Sequence, residues 1–275
     1  TRRNTLQQSE ESRGWSAIAV GLQHTVALKS DGTLWAWGWN GSGQHGDGTN
    51  ADKLTPKRIG TETDWDTIAA GQHHTFALKS DGTLWAWGNN YSGQLGIGNI
   101  VSTTSPKAVG EESNWSVIVA GSDHTVALKS NGTLWVWGRN DYGELGIGFL
   151  AQKLNPTRVG EENNWSSIAA GEHHTVAVKS DGTLWAWGRN RDGQLGDGTT
   201  VDKTTLTRIG SATTWTAMSA GGDHTNALKS DGTQPTPTPI PAASSWGMAA
   251  LAAALLVMMT VLLRQTSGHR DRVML

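Results

Sequence analysis

The period of apolar and polar positions switches every few residues along this chain, and the order of the switches then recurs. In residues 66–70 (DTIAA) a short apolar run ends at Gly71. Residues 74–79 (HTFALK) alternate, with Phe76 and Leu78 on one side, the two-residue period of a strand. Asp81-Gly82 predicts a two-residue hairpin turn that needs positive φ. In residues 83–87 (TLWAW) Thr83, Trp85 and Trp87 share one face and Leu84 and Ala86 the other. Apolar positions on both faces predict a strand buried on both sides. Residues 106–109 (PKAV), closed by Gly110, predict a weaker fourth strand, whose Pro106 suits a first position or a sheet edge. No segment carries the 3.6-residue period that a helical solenoid requires.

This block recurs at a period of fifty, marked by Trp15, Trp65, Trp115, Trp165 and Trp215. The repeats are 15–64, 65–114, 115–164 and 165–214, with a partial copy at 215–233. Four short strands per repeat, joined by tight turns and apolar on both faces, predict the blades of a β-propeller. The fold class expected is all-β, with about four to five blades over residues 15–233. The fifth copy stops before its third and fourth strands, and residues 1–14 hold no L-W-x-W-G to supply them. The expectation is an open arc that exposes apolar blade faces at each end and self-associates.

Composition narrows the function. There are 35 glycines and 15 tryptophans against 2 phenylalanines and 2 tyrosines, as one motif copied several times would leave. The formal net charge of -2 lacks the basic stripe that meets phosphates, so no nucleic-acid partner is expected. The absence of cysteine excludes disulfides, thiolate nucleophiles and cysteine-ligated zinc.

Two stretches carry a family resemblance. L-W-A-W-G-x-N-x-x-G-Q-L-G at residues 84–96 and A-G-x-x-H-T-x-A-L-K at 70–79 resemble the repeats of the regulator of chromosome condensation family. Their counterparts in the other copies depart little, as with His45 and Glu144 in the glycine-rich loop. The resemblance covers residues 15–233. It implies a propeller, usually seven-bladed, and no shared chemistry, because members include an exchange factor, a plant ultraviolet receptor and a β-lactamase inhibitor. The receptor's light-sensing G-W-R-H-T motif is absent: Leu22, Gln72, Ser122, Glu172 or Gly222 follows the glycine here.

The composition changes after Thr233. Residues 234–245 (QPTPTPIPAASS) are a Pro-rich linker. Residues 246–263 carry no charge, and as a helix would span about 27 Å, near bilayer thickness. Arg264, Arg270 and Arg272 in the basic tail 264–275 place the C-terminus in the cytoplasm and the propeller outside. Ile240, Pro241, Trp246 and Gly247, followed by the apolar run and Arg264, resemble the bacterial IPTL/PEP-type sorting segments read by exosortases. Ala242 and Ala243 depart from that pattern. The resemblance implies a bacterial cell-envelope protein handled by an exosortase-type enzyme. Such a tail requires an export signal, so a removed leader or a longer chain is expected.

Candidate chemistry is sparse. His24, His74, His124, His174 and His224 recur once per repeat and are read as turn or inter-blade residues, not as a metal ring. His73 and His173 are read as surface variation. The G-Q-L-G-x-G loop at 93–98 lacks the following helix of a phosphate site. Asp47 and Asp197 lack the dense carboxylates of a calcium loop and are read as solvated turn residues. No nucleophile–base pair stands out, so neither catalytic residues, metal nor cofactor is assigned.

Positions that differ between copies cluster after W-G, around the recurring Asn40, Asn90, Asn140 and Asn190. They are Trp39 and Ser42; Asn89 and Tyr91; Arg139, Asp141 and Tyr142; and Arg189, Arg191 and Asp192. These residue types are enriched at interface hot spots. The reading is a non-catalytic surface protein that presents these loops, on one side of the propeller, to a protein or surface polymer. The alternatives are a regulator of one specific enzyme and a structural module of a larger adhesin.

Overall fold

The computed structural model describes residues 14–230. Each complete repeat is a four-stranded antiparallel meander with strands in sequence order. The first blade holds β1 (Trp15–Val20), β2 (His24–Lys29), β3 (Leu34–Gly38) and β4 (Lys53–Ile59). The second holds β5 (Trp65–Ala70), β6 (His74–Lys79), β7 (Leu84–Gly88) and β8 (Thr103–Ala108). The third holds β9 (Trp115–Ala120), β10 (His124–Lys129), β11 (Leu134–Gly138) and β12 (Lys153–Arg158). The fourth holds β13 (Trp165–Ala170), β14 (His174–Lys179), β15 (Leu184–Gly188) and β16 (Lys203–Arg208). A fifth, two-stranded sheet holds β17 (Trp215–Ala220) and β18 (Thr225–Lys229). The molecule is thus an all-β propeller of four-stranded blades, with four complete and one half-blade among the described residues.

The strand pattern read from sequence holds with one displacement. The fourth strand of the second repeat begins at Thr103, and Pro106 lies inside it instead of opening it. Its register on β7 shifts between Ala86 and Gly88, which pair with Lys107 and Thr103. Proline is tolerated there because β8 is the outer edge strand and the bulge removes a donor position from the ladder. The turn is longer than the two residues expected: Lys79 N donates to the Thr83 carbonyl and Gly82 N to the Lys79 carbonyl, so Ser80, Asp81 and Gly82 form the connection, with Gly82 at φ +80° and Asp81 accepting from both the amide and the hydroxyl of Thr83.

The core lies between blades. Val26, Leu28, Leu34 and Ala36 of the first blade pack against Trp65, Ala77 and Trp87 of the second. The same arrangement repeats at the next two boundaries, where Trp137 and Trp187 are, like Trp87, fully buried. Each such indole removes a large apolar area from water, which stabilises by about 3 kcal/mol or more. Beneath, Lys129 lies 3.6 Å from the centroid of Trp135 and 4.8 Å from that of Trp115, and it pairs with Glu112 at 2.6 Å.

Among the described residues the first blade presents its other face without a neighbour. Ile18 and Val20 are 66% and 67% exposed, whereas Ile118 and Ile168, at the position of Ile18, are 5% and 7% exposed. β17 and β18 pack on β13 and β14 but make no comparable contact with β1 or β2. The described blades therefore form an open arc, as the interrupted fifth copy predicts. Among the described residues no helix is long and apolar enough to cross a membrane. The proposed linker, membrane segment and sorting residues Ile240, Pro241, Trp246, Gly247 and Arg264 lie outside the described residues.

Candidate functional site: the loop face

A four-stranded meander puts its first and third connections at one end and its second at the other. The β1–β2 connection (21–23), the long β3–β4 loop (39–52) and their counterparts therefore share one end of every blade. The predicted loop face exists, and its construction is legible bond by bond.

One carbonyl organises each boundary. The Gln44 carbonyl accepts from Thr75 Oγ1 at 2.8 Å and from Trp87 Nε1 at 2.9 Å, both on the next blade. Gln94 repeats this with Thr125 and Trp137, and Glu144 with Thr175 and Trp187. His24 Nε2 lies 3.0 Å from Thr75 Oγ1, His124 Nε2 3.1 Å from Thr175 Oγ1, and His174 Nε2 2.9 Å from Thr225 Oγ1. The single hydroxyl proton of Thr75 goes to the carbonyl, so the imidazole must donate, which fixes the Nε2–H tautomer. Burial and neighbouring imidazoles lower His24 to about 4 and His74 to about 3. The same causes hold His124 at about 3, and burial holds His174 at about 4. These histidines are neutral inter-blade residues, as read from sequence. Among the described residues no cluster of His, Asp and Glu is arranged to hold a metal ion.

The recurring asparagines tie the long loop to itself. Asn190 Oδ1 accepts from Leu195 N at 3.0 Å, and its Nδ2 donates to the carbonyls of Thr199 and Val201. Asp197 joins this knot, which corrects its reading as a solvated turn residue: its side chain is 8% exposed and pairs with Lys203 at 3.1 Å. Burial opposes its ionisation, but bonds from Thr199, Lys203 and Asn190 outweigh that and hold its carboxyl at about 2. Asp47 is likewise tied to Lys53 at 2.9 Å.

The variable residues divide into tied and free. Trp39 packs on His73 of the next blade, with ring centroids 5.0 Å apart. Asn89 accepts from Gln94 Nε2, which also donates to Asp123 at 2.9 Å. Arg139 pairs with Asp141 at 2.7 Å and lies 3.7 Å from Asp123. Arg189 bridges to Asp223 of the fifth sheet at 2.7 Å and to Asp192 at 3.0 Å. Ser42 donates its amide to Gln44 Oε1. Tyr142 packs on His173, and Arg191 lies over the Tyr142 ring at 5.2 Å. Tyr91 is 75% exposed, and the Arg191 side chain is 63% exposed while its Nε lies 3.6 Å from Asp202 Oδ2.

Sequence reasoning missed the residues beneath these loops. His73 and His173, read as surface variation, are partners of Trp39 and Tyr142 and are only half-exposed or less. The one signal available was that they occupy the position of Gln23, Asp123 and Asp223, which varies between copies beside a recurring histidine. Where the inner strands end, Leu22, Gln72, Ser122, Glu172 and Gly222 border a shallow, open depression of about 290 Å³.

A model of the RCC1-like domain matches residues 2–252. The ultraviolet-B receptor UVR8 of Arabidopsis thaliana is 50% identical over 44 residues, 16% of this chain and 10% of that protein. The structure of Prp20p from Saccharomyces cerevisiae, described with its binding to Gsp1p and histones, superposes with a TM-score of 0.72 and 29% identity. That match covers 80% of this chain and 57% of Prp20p. Yeast Prp20 bound to Kap60 matches equally, at 29% identity and a TM-score of 0.72, over 80% of this chain and 56% of that one. Human WBSCR16 shares the fold at a TM-score of 0.72 and 24% identity, over 81% of this chain and 60% of that one. The chain therefore spans under two thirds of the length of each of these relatives.

Proposed function

From the premise that this chain belongs to the RCC1-like domain family, we propose that it is a non-catalytic module that binds a protein through its loop face. One observation carries the reading: three loops of differing sequence are held at one end of the blades by the same carbonyl–threonine–tryptophan latch. A constant scaffold under variable loops positions contact residues without reorganisation. Tyr91 and Arg191 are the exposed members, and Trp39 and Tyr142 are the half-buried aromatic anchors beside them. Arg189 supports the face by bridging to Asp223 of the next sheet, and Arg139 and Asn89 support it through bonds within their own blades. Polymer binding remains the runner-up, because aromatic and amide side chains suit sugars as well.

The test compares proteins captured by the full chain with those captured by a Tyr91→Ala, Arg191→Ala variant. Loss of a specific partner supports this face, and unchanged capture removes it. A second reading, regulation of one GTPase-like or β-lactamase-like enzyme, draws support from Prp20p, whose structure is described with Gsp1p. Direct inhibition or exchange assays distinguish it. Export to a bacterial surface is a separate proposal, supported by the uncharged run 246–263 and the arginines after it. Fractionation of cells that express the full chain tests it.

A further inference from the structure

The residue that follows each recurring glycine of the loop, at positions 44, 94, 144 and 194, faces the residue before the recurring histidine of the next blade. At two boundaries the pair is glutamine and aspartate. Gln94 Nε2 donates to Asp123 at 2.9 Å, and Gln194 Nε2 approaches Asp223 at 3.4 Å. At the first boundary the equivalent residues are Gln44 and His73, and Gln44 Nε2 and His73 Nδ1 are both unpaired; at the boundary of the third and fourth blades Glu144 faces His173 instead. A carboxylate placed against aspartate would repel it, and glutamine against aspartate donates. Glutamate against histidine reverses donor and acceptor, so the exchange is chemically matched.

Glu144 is fully buried, and its counterparts in the other three copies are all glutamine. Its Oε2 accepts from Tyr142 N at 2.8 Å, while its Oε1 has no hydrogen-bond partner. His173 Nδ1 lies 3.7 Å from that Oε1, and His173 Nε2 lies 3.5 Å from Glu172. An unpaired oxygen of a buried carboxylate is costly, and a proton placed between it and the imidazole removes the cost.

We propose that Glu144 and His173 form a proton-sharing latch between the third and fourth blades, through which acidification tightens the loop face above them. At neutral pH the pair carries the charge of the Glu144 carboxylate. As pH falls, one proton enters from solvent and is held between Oε1 and Nδ1, taking the pair from -1 to 0. A second proton would leave His173 cationic beside a neutral acid, and burial opposes it. Burial raises Glu144 and lowers His173 from their ordinary values, both toward a pair that holds one proton. The other charges around the pair are mixed. Arg139 and Asp141 face Glu144, and Glu172, Arg139, Arg189 and Asp123 face His173. His124 and His174 lie behind it and are neutral. The ring of Tyr142 rests on His173 at 5.2 Å, with Arg191 above it, so fixing the imidazole fixes part of the exposed face.

The test is an NMR titration of the full chain, following the His173 imidazole, the Glu144 carboxyl and the Tyr142 ring from about pH 8 to 5. The expected result is one midpoint shared by all three groups. In Glu144→Gln the shared midpoint disappears and the Tyr142 signals no longer titrate. A Glu144→Gln, His173→Asp variant rebuilds the pair found at two other boundaries, so it stays folded and shows no response at Tyr142. Separate midpoints for Glu144 and His173, or a Tyr142 titration that survives Glu144→Gln, would overturn the proposal.

Discussion

The hydroxyl of Thr175 accepts from His124 and donates to the Glu144 carbonyl, so a Thr175→Val variant removes both bonds while keeping the shape. The carbonyl keeps Trp187 as a donor, but the His124 Nε2–H is left buried and unpaired. The expected cost is about 1–3 kcal/mol, read from the denaturant midpoint. The buried imidazoles predict acid sensitivity. Their folded values of about 3 to 4 lie below the value of about 6.5 expected in the unfolded chain. Below pH 6.5 the unfolded state binds protons that the folded state refuses. Stability is therefore full above about pH 6.5 and falls as pH drops toward the folded values. At pH 5 each imidazole should contribute about 1–2 kcal/mol less than at pH 8. Flat denaturant midpoints across this range would contradict that. That these histidines are structural was legible in their once-per-repeat spacing; which nitrogen bonds, and to what, was not, because the partner lies 51 residues away.

At the scale of the element, the long β3–β4 loop behaves as a folded unit. Asn190 closes it through Leu195, Thr199 and Val201. Asn190→Ala should leave the four-stranded sheet intact and raise amide exchange across residues 195–202, with a global loss of about 1–3 kcal/mol. The glycines of this loop serve the next blade. Gly96 has φ +70°, and a Cβ there would lie 2.7 Å from Trp137 Nε1. Gly96→Ala should therefore loosen the boundary of the second and third blades, seen as a change in Trp137 fluorescence and a lower melting temperature. The sequence marked the strands, the place of the turn and the loop because period and glycine spacing are local signals, but it read the three-residue connection 80–82 as two residues. It misplaced the start of β8 because an edge strand with a bulge carries no clean alternation.

At the largest scale, the described residues form a row of blade boundaries, and the three between complete blades each combine apolar burial with the same few bonds. A defect at one boundary should lower stability without propagating far. The exposed face of the first blade predicts association. Ile18→Lys, Val20→Lys should reduce concentration-dependent self-association in sedimentation velocity, because 66% and 67% exposed aliphatic side chains are replaced by charge. Equal association of parent and variant would place the contact elsewhere.

The sequence by itself determined the propeller, the number of complete blades and the side on which the variable loops would gather. Those follow from a period of fifty and from alternation within strands, both written in adjacent residues. Tertiary structure decided which variable residues are available. Arg139 and Arg189, equal to Arg191 on sequence, each hold two carboxylates, whereas Arg191 has one longer contact, to Asp202 at 3.6 Å, and stays 63% exposed. It also decided that His73 and His173 belong to the face and that Glu144 is buried against an imidazole. The physical reason is common to all of these: availability depends on what another connection or the next blade places opposite, and no local pattern records that.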